Sequence, residues 1–193
     1  RVIVSAAADC LPIVRPDDVA TVGLFGAGAA AVVLTAPDGP KPSTIQGLRW
    51  ETWPSHAKLG QIPITGYEID DDGISIHAGF YEMDGGGLAR VALAVLPEVV
   101  DDVLTQADWD KNDVSVLIAH QPNARMLALG VQALGFDPGI VPTPVVRLGN
   151  MGPASLLVAL SLAHQEGRLL RDSKILLVAF GLGFSCGAMA IEL

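Results

Sequence analysis

Apolar residues follow two rhythms along this chain, and the change of rhythm divides it. Up to the GGG at 85–87 they come in short runs parted by Gly, Pro and polar clusters, a strand-and-turn pattern. Residues 2–7 read as a strand. Residues 21–35 read as strand, tight turn, strand, with TVGLF and AAVVLT on either side of GAGA. The Pro/Gly-rich joint APDGPKP (36–42) is the best boundary in the sequence. Residues 44–52 and 73–77 have strand character, and the stretch 53–72 between them is a polar loop with Pro54, Gly60, Pro63 and Gly66. A loop of that length points to function.

Beyond the glycines the period lengthens. Leu88, Val91, Val95, Val99 and Val103 repeat at three and four residues, which predicts a helix over 88–106 with a widened apolar face at Leu96 and Val100 and a kink at Pro97. VSVLIAH (114–120) predicts a buried strand, 121–135 a helix closed by Gly135, 142–149 a strand, 153–167 a helix, and 174–181 and 185–193 two further strands. From 114 onward the order is β-α-β-α-β-β with continuous apolar strands. That is the pattern of a sheet covered by helices. The segment before 37 holds strands and no helix, as though it completes a sheet begun elsewhere.

Composition narrows the functional classes. Of 193 residues half are apolar, 17% are charged, and the net charge is −9. Disorder and a coiled coil are excluded. The 12 Lys and Arg never cluster, so nucleic-acid binding through a basic stripe is excluded as well. Two charge-free stretches, 19–37 and 175–191, are glycine-broken and read as buried strands rather than membrane spans. Cys10 and Cys186 lie far apart with no CxxC, which predicts reduced thiols and a cytoplasmic setting. The opening RVIVSAAADC has no initiator Met and no basic leader, so the expectation is a chain that begins inside a longer product.

Three places carry candidate chemistry. Gly26-Ala27-Gly28 formally fits a dinucleotide glycine pattern, but a strand-like AAVVLT follows and Asp38 comes too early, so it reads as a tight turn. His120 ends an apolar strand in HQPNAR, where α/β enzymes place reactive groups; the alternative is a structural histidine. Asn150 closes another strand in RLGNMGPAS, its alternative role being the cap of the helix that follows. The third is the turn GLGFSCG (181–187), either a plain hairpin or a backbone N–H aimed at an oxyanion. Two donors, a neutral imidazole and an amide, aimed at one carbonyl oxygen would stabilise an enolate. His56, His77 and His164 have no metal-ligand spacing, and no metal is expected.

These segments together resemble the ketoacyl-ACP synthase III group of the thiolase superfamily. HQPNAR is similar to HQAN-x-R, GNMGPAS to GNTSAAS, AFGLGFSCG to AFGGGxTWG, and VGLFGAGAAAVVL to LFGDGAGAVVL, in the same order and spacing. The resemblance implies a layered α/β/α thiolase-like fold: a mixed five-stranded sheet with helices over 37–193, preceded in 1–36 by the last strands of a second, similar half. It implies that His120 and Asn150 belong to a Cys-His-Asn triad, that Phe180 packs beside them, and that the backbone N–H of Leu182 serves the oxyanion hole. It also implies that Asn123 contacts pantetheine and that Arg125 helps dock the carrier. Acyl-CoA or acyl-ACP would be substrates, with no cofactor, in fatty acid or polyketide biosynthesis. A homodimer and the N-terminal half would be partners; nucleic acid and membrane would not.

The departures are specific. The family's nucleophilic cysteine precedes the strand that RVIVSAAADC resembles, and neither Cys10 nor Cys186 stands at a matching position. Met151-Gly152 replaces the family's Thr-Ser, and Pro153 an Ala. Three readings stay open: a decarboxylating condensing enzyme, an acyltransferase of the same fold acting on a hydroxyl or amine with His120 as base, and a non-catalytic partner subunit.

Overall fold

The computed structural model describes residues 1–35 and 44–193; the joint expected at 36–42, and with it the division between residues 36 and 37, lies outside them. In chain order the elements are β1 (Val2–Asp9), α1 (Val19–Val22), β2 (Ala27–Leu34), β3 (Thr44–Thr52), β4 (Gly60–Gln61), β5 (Ile64–Asp70), β6 (Gly73–Ala78) and β7 (Glu82–Met83). Then follow α2 (Gly85–Ala107), β8 (Val116–Ala119), α3 (Ala124–Leu134), α4 (Val145–Leu148), α5 (Ala154–Gln165), β9 (Lys174–Gly181) and β10 (Ser185–Glu192). The central sheet is mixed, in the order β3-β10-β9-β8, with β8 parallel to β9 and the other pairs antiparallel.

Helices cover this sheet according to the alternation of its side chains. Leu117, Leu176, Val178, Cys186, Ala188 and Ala190 join the main core with Leu88, Ala92, Leu96, Val99, Val100 and Val103 of α2 and Leu127 and Val131 of α3. Val116, Ile118 and Ile175, on the other face, pack with Ala159 and Ala163 of α5. The strands are therefore apolar on both sides, as their unbroken runs predict. The residue Gly47 lets α2 lie close on β3: a Cβ there would stand 2.6 Å from the carbonyl oxygen of Val103. Beyond α5 lies the ribbon β1–β2, paired antiparallel from Val2↔Leu34 to Asp9↔Ala27.

Helix boundaries follow their caps. The start of α2 is three residues earlier than its apolar period suggests, because Asp84 Oδ1 accepts the N–H of Gly87 at 2.8 Å. The helix runs through Pro97 and ends where Asp108 turns left-handed, its N–H bonded to the carbonyls of Leu104 and Thr105. Asn123 caps α3, and Gly135 ends it at φ +74°.

Four expectations are corrected. TVGLF is not a strand: Asp18 caps α1 over residues 19–22, and Phe25 makes only an isolated bridge. GAGA is not a tight turn, since Ala27 and Gly28 already belong to β2 and pair with Asp9 and Ala8. Residues 142–149 hold α4 rather than a strand, which leaves a central sheet of four strands among the described residues instead of five. The 53–72 loop contains β4 and most of the hairpin β5–β6, closed where Asp70 Oδ1 accepts the N–H groups of Asp72 and Gly73. No helix of the described residues is long and apolar enough to cross a membrane.

Candidate active site

Parallel pairing of β8 and β9 brings two chemically loaded chain ends side by side. The ladder extends one residue past β8, His120 N–H donating to Val178 O at 2.8 Å. The imidazole then meets Phe180 edge-on, ring centres 5.2 Å apart, and Phe180 stacks on the fully buried Phe184 at 5.8 Å. His120 thus stands against an aromatic wall, and among the described residues no carboxylate is its partner. Burial without a counter-charge holds its pKa down at about 4, so at neutral pH the ring is uncharged, one nitrogen donating and the other accepting.

Four residues downstream of His120 the chain becomes a helix at Ala124, and Gln121 anchors the turn between them. Its side chain is fully buried; Nε2 donates to Ala119 O (2.9 Å) and Pro142 O (3.1 Å), and Oε1 accepts the N–H of Val145 (3.2 Å). This ties the strand end bearing His120 to the segment leading into α4. Sequence reading passed over Gln121, whose only signal was a large amide between an apolar strand and a proline. Asn123 Oδ1 accepts the N–H of Met126 at 2.8 Å, which makes it the α3 cap as well as a cavity residue. Arg125 is exposed in the first turn of α3, and among the described residues no carboxylate pairs with it.

Asn150 does not end a strand of the central sheet, contrary to expectation. It follows α4 and bridges to Phe25 in parallel: its N–H donates to Leu24 O (2.8 Å) and its carbonyl accepts the N–H of Gly26 (2.9 Å). Nor does its side chain cap α5. Oδ1 accepts from Gly152 N–H (2.9 Å) and from the Ser155 hydroxyl (3.4 Å), while Ser155 Oγ accepts the N–H of Met151 (3.0 Å). With both neighbours acting as donors to the oxygen, the amide is oriented and its NH₂ group stays available. Ser155, fully buried, is the second residue that sequence reading missed; Asn-x-x-x-x-Ser spacing across a helix start was its only trace.

One cavity of about 930 Å³ is bordered by His120, Asn123, Arg125, Asn150, Phe180 and Leu182, every site residue expected from the sequence. The rest of its wall is mostly apolar, including Leu88, Met126 and Leu156. Among the described residues no acceptor takes the backbone N–H of Leu182, at the turn between β9 and β10. Cys10 borders the cavity too, its thiol pushed up by burial and then by the Asp9 carboxylate. Cys186 lies in the core, its thiol pushed up by burial to about 11. No group of described His, Cys, Asp or Glu is arranged to hold a metal ion.

Residues 104–193 match the family model described as 3-oxoacyl-[acyl-carrier-protein] synthase III C terminal. That segment resembles the C-terminal part of this family. The chain is 30% identical over 185 residues to the beta-ketoacyl-[acyl-carrier-protein] synthase III of Pseudoalteromonas atlantica, covering 95% of this chain and 56% of that protein. It is 31% identical over 196 residues to a Streptomyces coelicolor protein named beta-ketoacyl-[acyl-carrier-protein] synthase III 3, covering 99% and 58%. Among solved structures it resembles 3-oxoacyl-[acyl-carrier-protein] synthase III from Aquifex aeolicus, with a TM-score of 0.84, 30% identity, and coverage of 99% of this chain and 57% of that one. The chain therefore spans a little over half the length of the relatives it matches, and its fold is the thiolase-like α/β fold. HQPNAR, GNMGPAS and AFGLGFSCG, which carry the resemblance, all fall inside the matched segment or border the cavity.

Proposed function

We propose that this chain supplies the carbonyl-polarising portion of a ketoacyl-ACP synthase III-like acyltransferase, with the nucleophilic cysteine contributed from outside residues 1–193. The observation that carries the reading is the shared cavity of an uncharged His120 and an amide-oriented Asn150. In the proposed reaction an acyl group moves from a CoA or carrier thioester to that cysteine, and the thiol of the donor leaves. A malonyl-type thioester then binds with its carbonyl oxygen between His120 N–H and the Asn150 amide. Its C–C bond to the carboxylate breaks, carbon dioxide departs, and the electron pair rests on the oxygen as an enolate held by both donors. The enolate carbon attacks the acyl-cysteine carbonyl. Leu182 N–H donates to the resulting oxyanion, which collapses with expulsion of the cysteine thiolate and release of a 3-oxoacyl thioester.

Asn123 and Arg125 stand where the pantetheine arm and the carrier would approach. The net charge of −9 repels an acidic carrier overall, so docking must rest on local cations such as Arg125. Cys10 is not the nucleophile in this scheme, because its raised pKa leaves little thiolate at neutral pH. The reading also includes assembly as a homodimer. Transfer to a hydroxyl or amine is disfavoured by the same low His120 basicity, since a base near pKa 4 is poorly matched to that task at pH 7.

The test is malonyl decarboxylation by the protein together with its cysteine-bearing segment. His120→Ala and Asn150→Ala should each lower it by about 10²–10³-fold. Unchanged decarboxylation in both variants overturns the assignment, and acyl transfer without release of carbon dioxide favours the non-condensing rival.

A further inference from the structure

The turn between β9 and β10 does more than present a backbone N–H. Leu182 is 42% exposed, and its side chain borders the cavity. Across the cavity edge it leans on Gly60 of β4, the strand that pairs with β7 at Gly60↔Met83; Met83 is another wall residue. A Cβ at Gly60 would run into Leu182 Cδ2, with Cδ1 at 3.2 Å. The backbone of Gly60 has φ −166° and ψ 134°, extended geometry that any residue adopts. What a side chain at residue 60 would contest is therefore space, not conformation: the bare Cα of Gly60 is the seat of the Leu182 isobutyl group.

From this contact we infer that Leu182 and Gly60 together form a gauge for the apolar acyl group of the substrate, and that the room beside residue 182 sets which chain lengths and branches fit. The inference rests on the acyl-thioester reading above and deepens it. Seated on Gly60, the Leu182 side chain occupies the rim. Displaced from that seat, the partly exposed side chain can turn toward the cavity it borders. Shrinking residue 182 opens the cavity, and filling residue 60 forces Leu182 inward and narrows it. Both effects act on the substrate's apolar tail rather than on the reacting carbonyl. A pocket typically distinguishes one methylene by about 10-fold or more.

The experiment is a binding series with S-alkyl-CoA thioethers of increasing chain length and branching, titrated calorimetrically against the protein with its cysteine-bearing segment. These probes carry no thioester, so no turnover is needed. Leu182→Ala should move the preferred chain to greater length and tighten the longest or branched probe by about tenfold relative to the shortest. Gly60→Ala should do the reverse. The double variant Gly60→Ala/Leu182→Ala should cancel the Gly60→Ala effect to within about twofold, because the group that was displaced is gone. A merely structural role would weaken all lengths in parallel. An unchanged length profile in both single variants, or a double variant as narrow as Gly60→Ala alone, overturns the gauge. Failure of the unmutated protein to bind any alkyl-CoA overturns instead the acyl-thioester reading on which it stands.

Discussion

Gln121 offers the sharpest test of how this site is held. Replacing it with Met keeps roughly the length and volume of the side chain and removes all three of its hydrogen bonds. The Val145 N–H begins a short helix and receives no intrahelical acceptor, and both Val145 and Pro142 are buried. Water cannot replace the lost partner. An orphaned buried N–H or C=O costs about 1–3 kcal/mol, and the apolar burial of Met returns a fraction of that, so a net loss of about 3 kcal/mol is expected. For a chain of this size that lowers Tm by about 6–12 °C. Urea unfolding followed by tryptophan fluorescence should show a lower midpoint at unchanged m-value. A Gln121→Met protein within about 0.5 kcal/mol of the parent would refute the claim that this amide clamps the strand end to the 142–145 segment.

Two further outcomes follow from the same geometry. The pKa of His120 is about 4 in the folded protein and near 6.5 unfolded, so the unfolded chain binds the extra proton first. Its contribution is intact above about pH 6.5, falls through the window between 6.5 and 4, and the accumulated loss amounts to about 3 kcal/mol once below pH 4; the stability difference between the parent and His120→Gln, measured by urea unfolding from pH 4 to 7.5, should follow that slope, and a flat difference would contradict it. Gly130 lies inside α3 with nothing within 4 Å of the position a methyl group would take, so Gly130→Ala should raise stability by about 0.5–1 kcal/mol, a gain that thermal unfolding checks and that any loss would disprove.

The sequence by itself was enough wherever one physical signal acted alone. Unbroken apolar runs marked β8, β9 and β10, because strands covered on both faces have no polar side to show. A three-four repeat marked α2, and Gly135 marked the end of α3. His120 and Asn150 were legible as candidates, each with a structural alternative, because a polar residue stood directly against apolar runs and glycines; Asn123, Arg125, Phe180 and Leu182 came from the family resemblance alone. Short apolar runs were misread at TVGLF and at 142–149, since four or five such residues fit a strand or a single helical turn equally well. Their conformation was decided by groups outside each run: the Asp18 cap for one, and for the other the Gln121 side-chain oxygen receiving Val145 N–H.

Only the tertiary structure could bring His120 and Asn150 to one cavity, because Asn150 arrives there on a bridge to Phe25 rather than on the sheet that carries His120. The same holds for the donors that orient its amide and for the seat of Leu182 on Gly60. Local pattern records which face of an element is buried. It does not record which distant backbone group a buried polar atom will meet, and here those meetings set the chemistry.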